Sequence, residues 1–225
     1  MIKAAHNPLF EAFFGAYLFV HMRKSFRKIT LENKVVDRGG PVLLIGNHFS
    51  WWDGFIVRHV NKRIFKRRLH LMMDEEQLEK RRFLSRLGAF SIRKNSRSAL
   101  ESLQYAADVL KDPDNLLVLF PQGRFQSLHQ HPVNFEKGWY RILKLAPPNV
   151  QLVFMASLID YFAYSRPHLT VYLQDFPFSQ SSGRPDKHLL NTAEEQHAFS
   201  NGDDVEHAYN KFLKRCIEHQ NRKSD

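Results

Sequence analysis

Apolar positions along the chain fall into two alternating kinds of run. Short blocks rich in branched and aromatic residues, PVLLI at 41–45, LHLMM at 69–73, AFSI at 89–92, LLVLF at 116–120, VQLVFMASL at 150–158 and LTVYLQ at 169–174, have the length of buried strands. Between them, helical spacing predicts helices near 52–61, 75–87, 96–111 and 136–145. A last helix is expected near 203–219, opened by Asp203 or Asp204. The alternation predicts an α/β fold: a single layered domain with a largely parallel central sheet flanked by helices. In such sheets the chemistry collects beyond the carboxyl ends of strands, in the loops that lead to helices.

The N-terminus follows a different pattern. PLFEAFFGAYLFV, residues 8–20, carries one charge, Glu11, and runs into HMRKSFRK with Arg23, Lys24, Arg27 and Lys28. Leu9, Phe10, Phe13, Phe14, Tyr17 and Val20 recur at i, i+3, i+4 spacing, which predicts an amphipathic apolar/basic helix within 1–28, ahead of one domain over 29–225. The apolar stretch is shorter than the roughly 20 residues a bilayer core takes. Its cations follow the apolar run, the reverse of a secretory signal, so the segment is expected to be retained. Its aromatic face either covers the core or lies in a lipid interface; sequence leaves both open.

Charge sharpens that picture. Residues 1–100 hold 20 Lys and Arg against 8 Asp and Glu, whereas residues 101–225 hold 13 against 15, so the whole positive excess lies in the first part. An anionic partner there is expected to be a membrane surface carrying anionic lipid. No nucleic-acid motif accompanies the charge, and no nucleic-acid partner is expected. Cys216, the single cysteine, excludes an intrachain disulfide framework and points to a reducing compartment. The histidines show no HExxH or paired-ligand spacing, so no metal site is expected. No internal repeat or linker-like segment divides the chain.

Two stretches sit where chemistry is expected. Gly46-Asn47-His48 follows the first predicted strand, and FPQGR, Phe120 to Arg124, follows LLVLF. His48 and Asp53 are five residues apart, so an Asp in the first turn of a helix can reach back to an imidazole on the preceding loop. Held that way, the carboxylate fixes the tautomer and leaves the other nitrogen basic. On its own the pair does not separate a catalytic base from a capped helix start. Ser50 is not in a GxSxG elbow, and Cys216 lies far along a polar helix, so direct attack by a substrate hydroxyl is expected rather than a covalent enzyme intermediate. Phe49, Trp51, Trp52 and Phe55 around the pair fit either core packing or an apolar surface that walls a ligand tunnel or faces a bilayer.

NHFSWWD, Asn47 to Asp53, resembles the NHxxxxD block of the PlsC-like glycerolipid acyltransferases, the family that includes 1-acyl-glycerol-3-phosphate acyltransferase. GAFSIRK, Gly88 to Lys94, is similar to the second block with Arg93 as its arginine. FPQGR resembles FPEGTR, NFEKG (Asn134 to Gly138) resembles F-K-K-G, and VQLVFMASL resembles the fourth block. The resemblance covers roughly residues 30–160. It implies acyl transfer from acyl-CoA or acyl-ACP, used as co-substrate with no bound cofactor, to a lipid hydroxyl, on the cytoplasmic side of a membrane as a peripheral or monotopic protein. Acyl carrier protein is a further partner it implies. Carried over, His48 is the general base and Asp53 orients it. Asn47, Arg93, Phe120, Pro121, Gln122, Gly123, Arg124, Lys137 and Gly138 bind substrate, and backbone N–H groups near Phe120 to Gly123 meet the oxyanion. The family's Glu is Gln122 here, and its Thr-Arg pair is Arg124-Phe125, which puts the phosphate contact in question. The alternative implied by that departure is a catalytically impaired peripheral membrane-binding protein that keeps the fold.

Overall fold

A computed structural model describes residues 1–93, 98–176 and 202–223. The start of the helix expected at 96, and Lys94 of the second block, lie outside the described residues. Seven strands form one sheet: β1 Lys28–Lys34, β2 Val42–Gly46, β3 Arg68–Asp74, β4 Ala89–Ile92, β5 Asn115–Leu119, β6 Gln151–Asp160 and β7 His168–Phe176. Their order is β1-β7-β6-β2-β5-β3-β4, and every pairing is parallel except the β6–β7 hairpin. The helices are α1 Pro8–Ser25, α2 Asp53–Arg63, α3 Glu75–Glu79, α4 Ser98–Val109, α5 Tyr140–Leu145 and α6 Gly202–Asn221. The expected α/β layering is therefore present.

Alternation along β2 and its neighbours sorts the core into two layers. Leu43, Ile45, Leu117, Leu119 and Phe154 pack under α4, α5 and α6, through residues such as Leu103, Ile142, Leu143 and Tyr209. Val42, Leu44, Val118, Val153 and Met155 face Met22 of α1 and Ile56, Val57 and Val60 of α2. Each of these fully buried aliphatic side chains contributes roughly 1.5–3 kcal/mol. The chain leaves β2 for α2 on one face and leaves the adjacent β5 for α5 on the other. Their two loops diverge at the carboxyl edge and leave a crevice between them, the usual place for a ligand in an open α/β sheet.

Three expectations need correction. β1 went unforeseen: KITLENK is mostly polar and half exposed because it lies at the sheet edge, where only one neighbour, β7, pairs with it. The helix expected over 75–87 is two pieces, α3 and a 3-10 segment Arg82–Leu87, which ends at Gly88 in the left-handed region (φ +96°). A Cβ there would lie 1.8 Å from the Leu69 carbonyl oxygen, so only glycine fits. The N-terminal helix forms, but it is not amphipathic over its apolar length: Phe10, Phe14, Leu18 and Met22 turn inward, while Leu9, Phe13, Tyr17 and Val20 of the same expected face are exposed. No described helix is long and apolar enough to cross a membrane.

Candidate active site

His48 stands on the loop after β2, and the start of α2 holds it. Its Nδ1 lies 2.7 Å from Asp53 Oδ2, and the same oxygen accepts the backbone N–H groups of Phe49 (2.8 Å) and Ser50 (3.0 Å). The Ser50 hydroxyl accepts the Trp52 N–H at 3.0 Å, closing the turn that brings Asp53 under the ring. Asp53 is almost wholly buried and its Oδ1 has no hydrogen-bond partner. Burial raises the Asp53 carboxyl above its ordinary value, outweighing the bonds from His48 and from the Ser50 and Phe49 amides. With the carboxylate accepting at Nδ1, the proton sits on that nitrogen, and Nε2 is left with a lone pair.

Two phenyl rings set the plane of the imidazole. Phe120 stacks on it at 4.7 Å between centroids with a 10° interplanar angle, and Phe125 leans on it at 4.3 Å. Phe120 comes this close because β2 ends in Gly46: a Cβ there would meet the Phe120 ring at 3.0 Å and the Met155 side chain at 2.9 Å.

The loop after β5 is tied to the loop after β2 through amides. Gln122 Oε1 accepts the His48 N–H at 2.6 Å, and Gln122 Nε2 donates to Gln126 Oε1 at 2.7 Å. The Gln126 N–H in turn donates to the His48 carbonyl at 2.8 Å, and Gln126 Nε2 donates to the carbonyl of Gln130. Gln122 therefore supplies to this contact what a glutamate oxygen would, and its amino group is taken up by a second glutamine. Further back, Asn47 joins the loop to β6, its Nδ2 donating to the Ser157 carbonyl (2.9 Å) and its Oδ1 accepting the Ser157 N–H (2.8 Å). The Glu136 N–H donates to the Pro121 carbonyl at 2.7 Å, which docks NFEKG against FPQGR. α6 braces that segment, Asn210 and Glu206 accepting the N–H groups of Val133 and Phe135.

His48 lines a cavity of about 840 Å³. Its walls are mostly apolar, with Phe14, Phe55, Leu71, Met73, Leu87 and Trp139 among them, and its polar rim includes Arg58, Arg81, Arg124 and Lys137. Volume and lining are those of a site for a ligand with a long apolar part and an anionic or polar end.

Of the residues singled out from sequence, His48, Phe120, Pro121, Gly123, Arg124 and Lys137 come together in this wall, with Asp53 directly behind. Asn47, Gln122 and Gly138 are not in it. The first two are buried and hold the loops, and Gly138 precedes α5 in a left-handed conformation (φ +101°). Arg93 is also outside it, paired with Glu75 at 2.6 Å. The Gly123 N–H, one of the expected oxyanion donors, donates to the Phe120 carbonyl at 3.0 Å within its turn.

Sequence reasoning missed Arg58, Arg81, Phe125 and Gln126. Gly54, Phe55 and Arg58 share the cavity side of α2 at helical spacing, with Trp51 in the turn just before it, so the period that places Asp53 at a helix start could also have found Arg58. Arg58 donates to the Glu11 carbonyl at 2.9 Å and lies 3.5 Å from its carboxylate, which joins α1 to the site. Arg81 stacks over the Trp51 ring at 4.1 Å.

The open, mostly parallel sheet thus places a carboxylate-bound histidine at its switch point, facing an apolar cavity with a cationic rim, an arrangement suited to an amphiphilic ligand. The acyltransferase family model matches residues 28–156, more than half of the chain, and the chain belongs to that family, of the PlsC type. It is an acyltransferase by descent, with a lipid-like acceptor implied by the family. No curated protein matches it.

Proposed function

We propose that this protein is an O-acyltransferase that moves an acyl chain from an acyl thioester, acyl-CoA or acyl-ACP, to a hydroxyl of a lysophospholipid or related lipid. The observation that carries this is the 2.7 Å His48–Asp53 contact, made by a histidine in the wall of an apolar cavity of about 840 Å³. In the reaction, the acceptor oxygen attacks the thioester carbonyl while His48 Nε2 takes its proton. Asp53 stabilises the imidazolium that forms. The tetrahedral intermediate then collapses, the C–S bond breaks, and the proton passes from His48 to the leaving thiolate. The apolar wall takes the acyl chain, and Arg124 and Lys137, with Arg58 and Arg81, meet anionic groups of donor or acceptor. Where the family carries the last arginine of FPEGTR, Phe125 packs on His48, so the group next to the reacting hydroxyl meets a ring rather than a cation. An acceptor without phosphate at that position suits this ring.

The site is reached from a membrane in this reading, the chain being a peripheral or monotopic protein on the cytoplasmic side. Phe14, on the inner side of α1, is part of the cavity wall, so the helix lies between the cavity and anything its outer side rests on. The test is a screen with one labelled acyl thioester against lysophosphatidic acid, other lysolipids and non-phosphate alcohols. Transfer to a lipid hydroxyl, lost in His48→Ala at an unchanged thermal midpoint, is the expected result. No transfer or thioester hydrolysis with any acceptor, alongside vesicle binding, would favour the catalytically impaired membrane-binding protein instead.

A further inference from the structure

α1 is apolar on the side that faces away from the protein. Residues 9, 13, 16 and 20 form one stripe at helical spacing, Leu, Phe, Ala and Val, with Leu9 85%, Phe13 70% and Val20 50% exposed and Phe19 and Tyr17 flanking them. No charge interrupts this stripe until Arg23 and Lys24. The one acid of the helix, Glu11, faces inward beside His6 and Arg58. Although α1 is apolar on both sides, an exposed apolar stripe that turns cationic at one end fits contact with an anionic bilayer.

The β6–β7 turn meets α1 at that cationic end. Arg166 Nη1 donates to the carbonyls of Arg23 (3.1 Å) and Lys24 (3.4 Å), the Arg27 N–H donates to the Pro167 carbonyl at 2.9 Å, and the Arg27 guanidinium lies 3.7 Å from the Tyr164 ring centroid. Tyr161, Phe162 and Tyr164 are all exposed in this turn. Phe162 is held at φ +48°, a conformation that is costly for a bulky side chain and free for glycine. One edge of its ring meets His168 at 5.3 Å between centroids, and the rest of it, 40% of the residue, is left to solvent. Residues 161–166 contain no acid.

We propose that the β6–β7 turn is a second membrane anchor. Tyr161 and Phe162 enter the same anionic bilayer surface as the outer stripe of α1, with Arg23, Lys24, Arg27 and Arg166 at headgroup level. This rests on taking α1 as the lipid-seated helix, and it adds that a contact beyond the cationic end of α1 extends the seated surface and fixes the tilt of the domain on the membrane. Aromatic side chains with a wet end are suited to that boundary, and each cation adds attraction to anionic headgroups.

The experiment is flotation of the full chain with phosphatidylcholine vesicles, with and without phosphatidylglycerol, for wild type, Phe13→Glu, Phe162→Gly and Tyr161→Ser/Phe162→Gly. Wild type is expected to float more with the anionic vesicles, and Phe13→Glu to lose that binding. The double variant is expected to partition about tenfold less, while the thermal midpoint of Phe162→Gly stays level, release of the positive-φ strain offsetting the lost contact with His168. Wild-type partitioning by both turn variants, with Phe13→Glu impaired, overturns the second anchor and leaves the α1 reading standing. No flotation of wild type overturns both, and self-association of that wild type would assign the face to a second copy. Thioester transfer to a micellar acceptor, measured on the same variants, separates these outcomes from any failure of the acyltransferase reading.

Discussion

His48 and His70 are both held against the sheet, yet they are opposites. His48 has one nitrogen fixed by a buried carboxylate and its ring in a cavity wall. His70, in β3 opposite Leu117, is 6% exposed, packs edge-on to His6 at 4.8 Å between centroids, and has no carboxylate on either nitrogen, only the Asn115 side chain beside it at less than good hydrogen-bond geometry. Burial, with His6 adding to it, pulls His70 down to about 4. A histidine built for proton transfer needs an orienting group on one nitrogen and access on the other; His70 has neither and acts as a neutral packing residue. The difference is made by the backbone around each ring, since Asp53 reaches His48 only because α2 begins there.

The widest test of that contrast is His48→Ala. General acid–base catalysis contributes typically 10²–10⁴-fold, so acyl transfer should fall by at least about 10²-fold, with the thermal midpoint close to wild type because the ring is partly exposed. A matching loss in His70→Ala at native stability would erase the distinction. Asp53→Asn should come next. Its amide oxygen at the Oδ2 position can still accept the Phe49 and Ser50 N–H groups and His48 Nδ1, but it carries no charge to stabilise the imidazolium that the proposed proton transfer forms. A loss of about 10²-fold or more in kcat with little change in KM is expected. Unchanged kcat would mean that the carboxylate only caps the turn.

The same contrast marks what sequence can reveal. His48 and Asp53 were legible because both partners lie on one strand-to-helix connection, and local spacing is sufficient to bring them together. The order of strands and helices was legible for the same reason, apart from β1, whose edge position removes the apolar signal. Gln126 and Phe125 were not legible, because their roles arise when the loop after β5 folds back on His48, and no periodicity reports a contact across 74 or more residues. The inner and outer sides of α1 were also hidden: when both sides are apolar, spacing finds the stripes without saying which one the protein covers.

His70 carries the third expectation, on stability rather than activity. As pH falls, the unfolded chain takes up a proton at this histidine near the ordinary value of about 6.5, whereas the folded chain does so only near 4. The stability associated with keeping the ring neutral is therefore complete above about pH 6.5 and is lost progressively down to about pH 4, amounting to about 3 kcal/mol. His70→Leu should flatten denaturation midpoints across that window and leave stability at pH 7 equal or higher. A slope equal to that of wild type would mean that other groups dominate acid unfolding.

The smallest expected effect concerns the pair of glutamines behind His48. Because the His48 N–H must meet an oxygen, Gln122 has to present Oε1 to it, and its NH₂ then needs the acceptor that Gln126 supplies. Gln126→Leu removes that acceptor and leaves the buried Gln122 NH₂ unpaired, which loosens the loop that positions the imidazole. A fall of about 10-fold in kcat at nearly constant KM is expected, of the size that accompanies the loss of one buried hydrogen bond. Gln126→Glu keeps an acceptor in place and should retain most of the activity. If both substitutions cost the same, the glutamine is needed for its donor to the Gln130 carbonyl, and the orientation of Gln122 is set elsewhere. If neither costs anything, the two loops are held by the Gln126 N–H to His48 carbonyl bond alone, which any residue at that position can make.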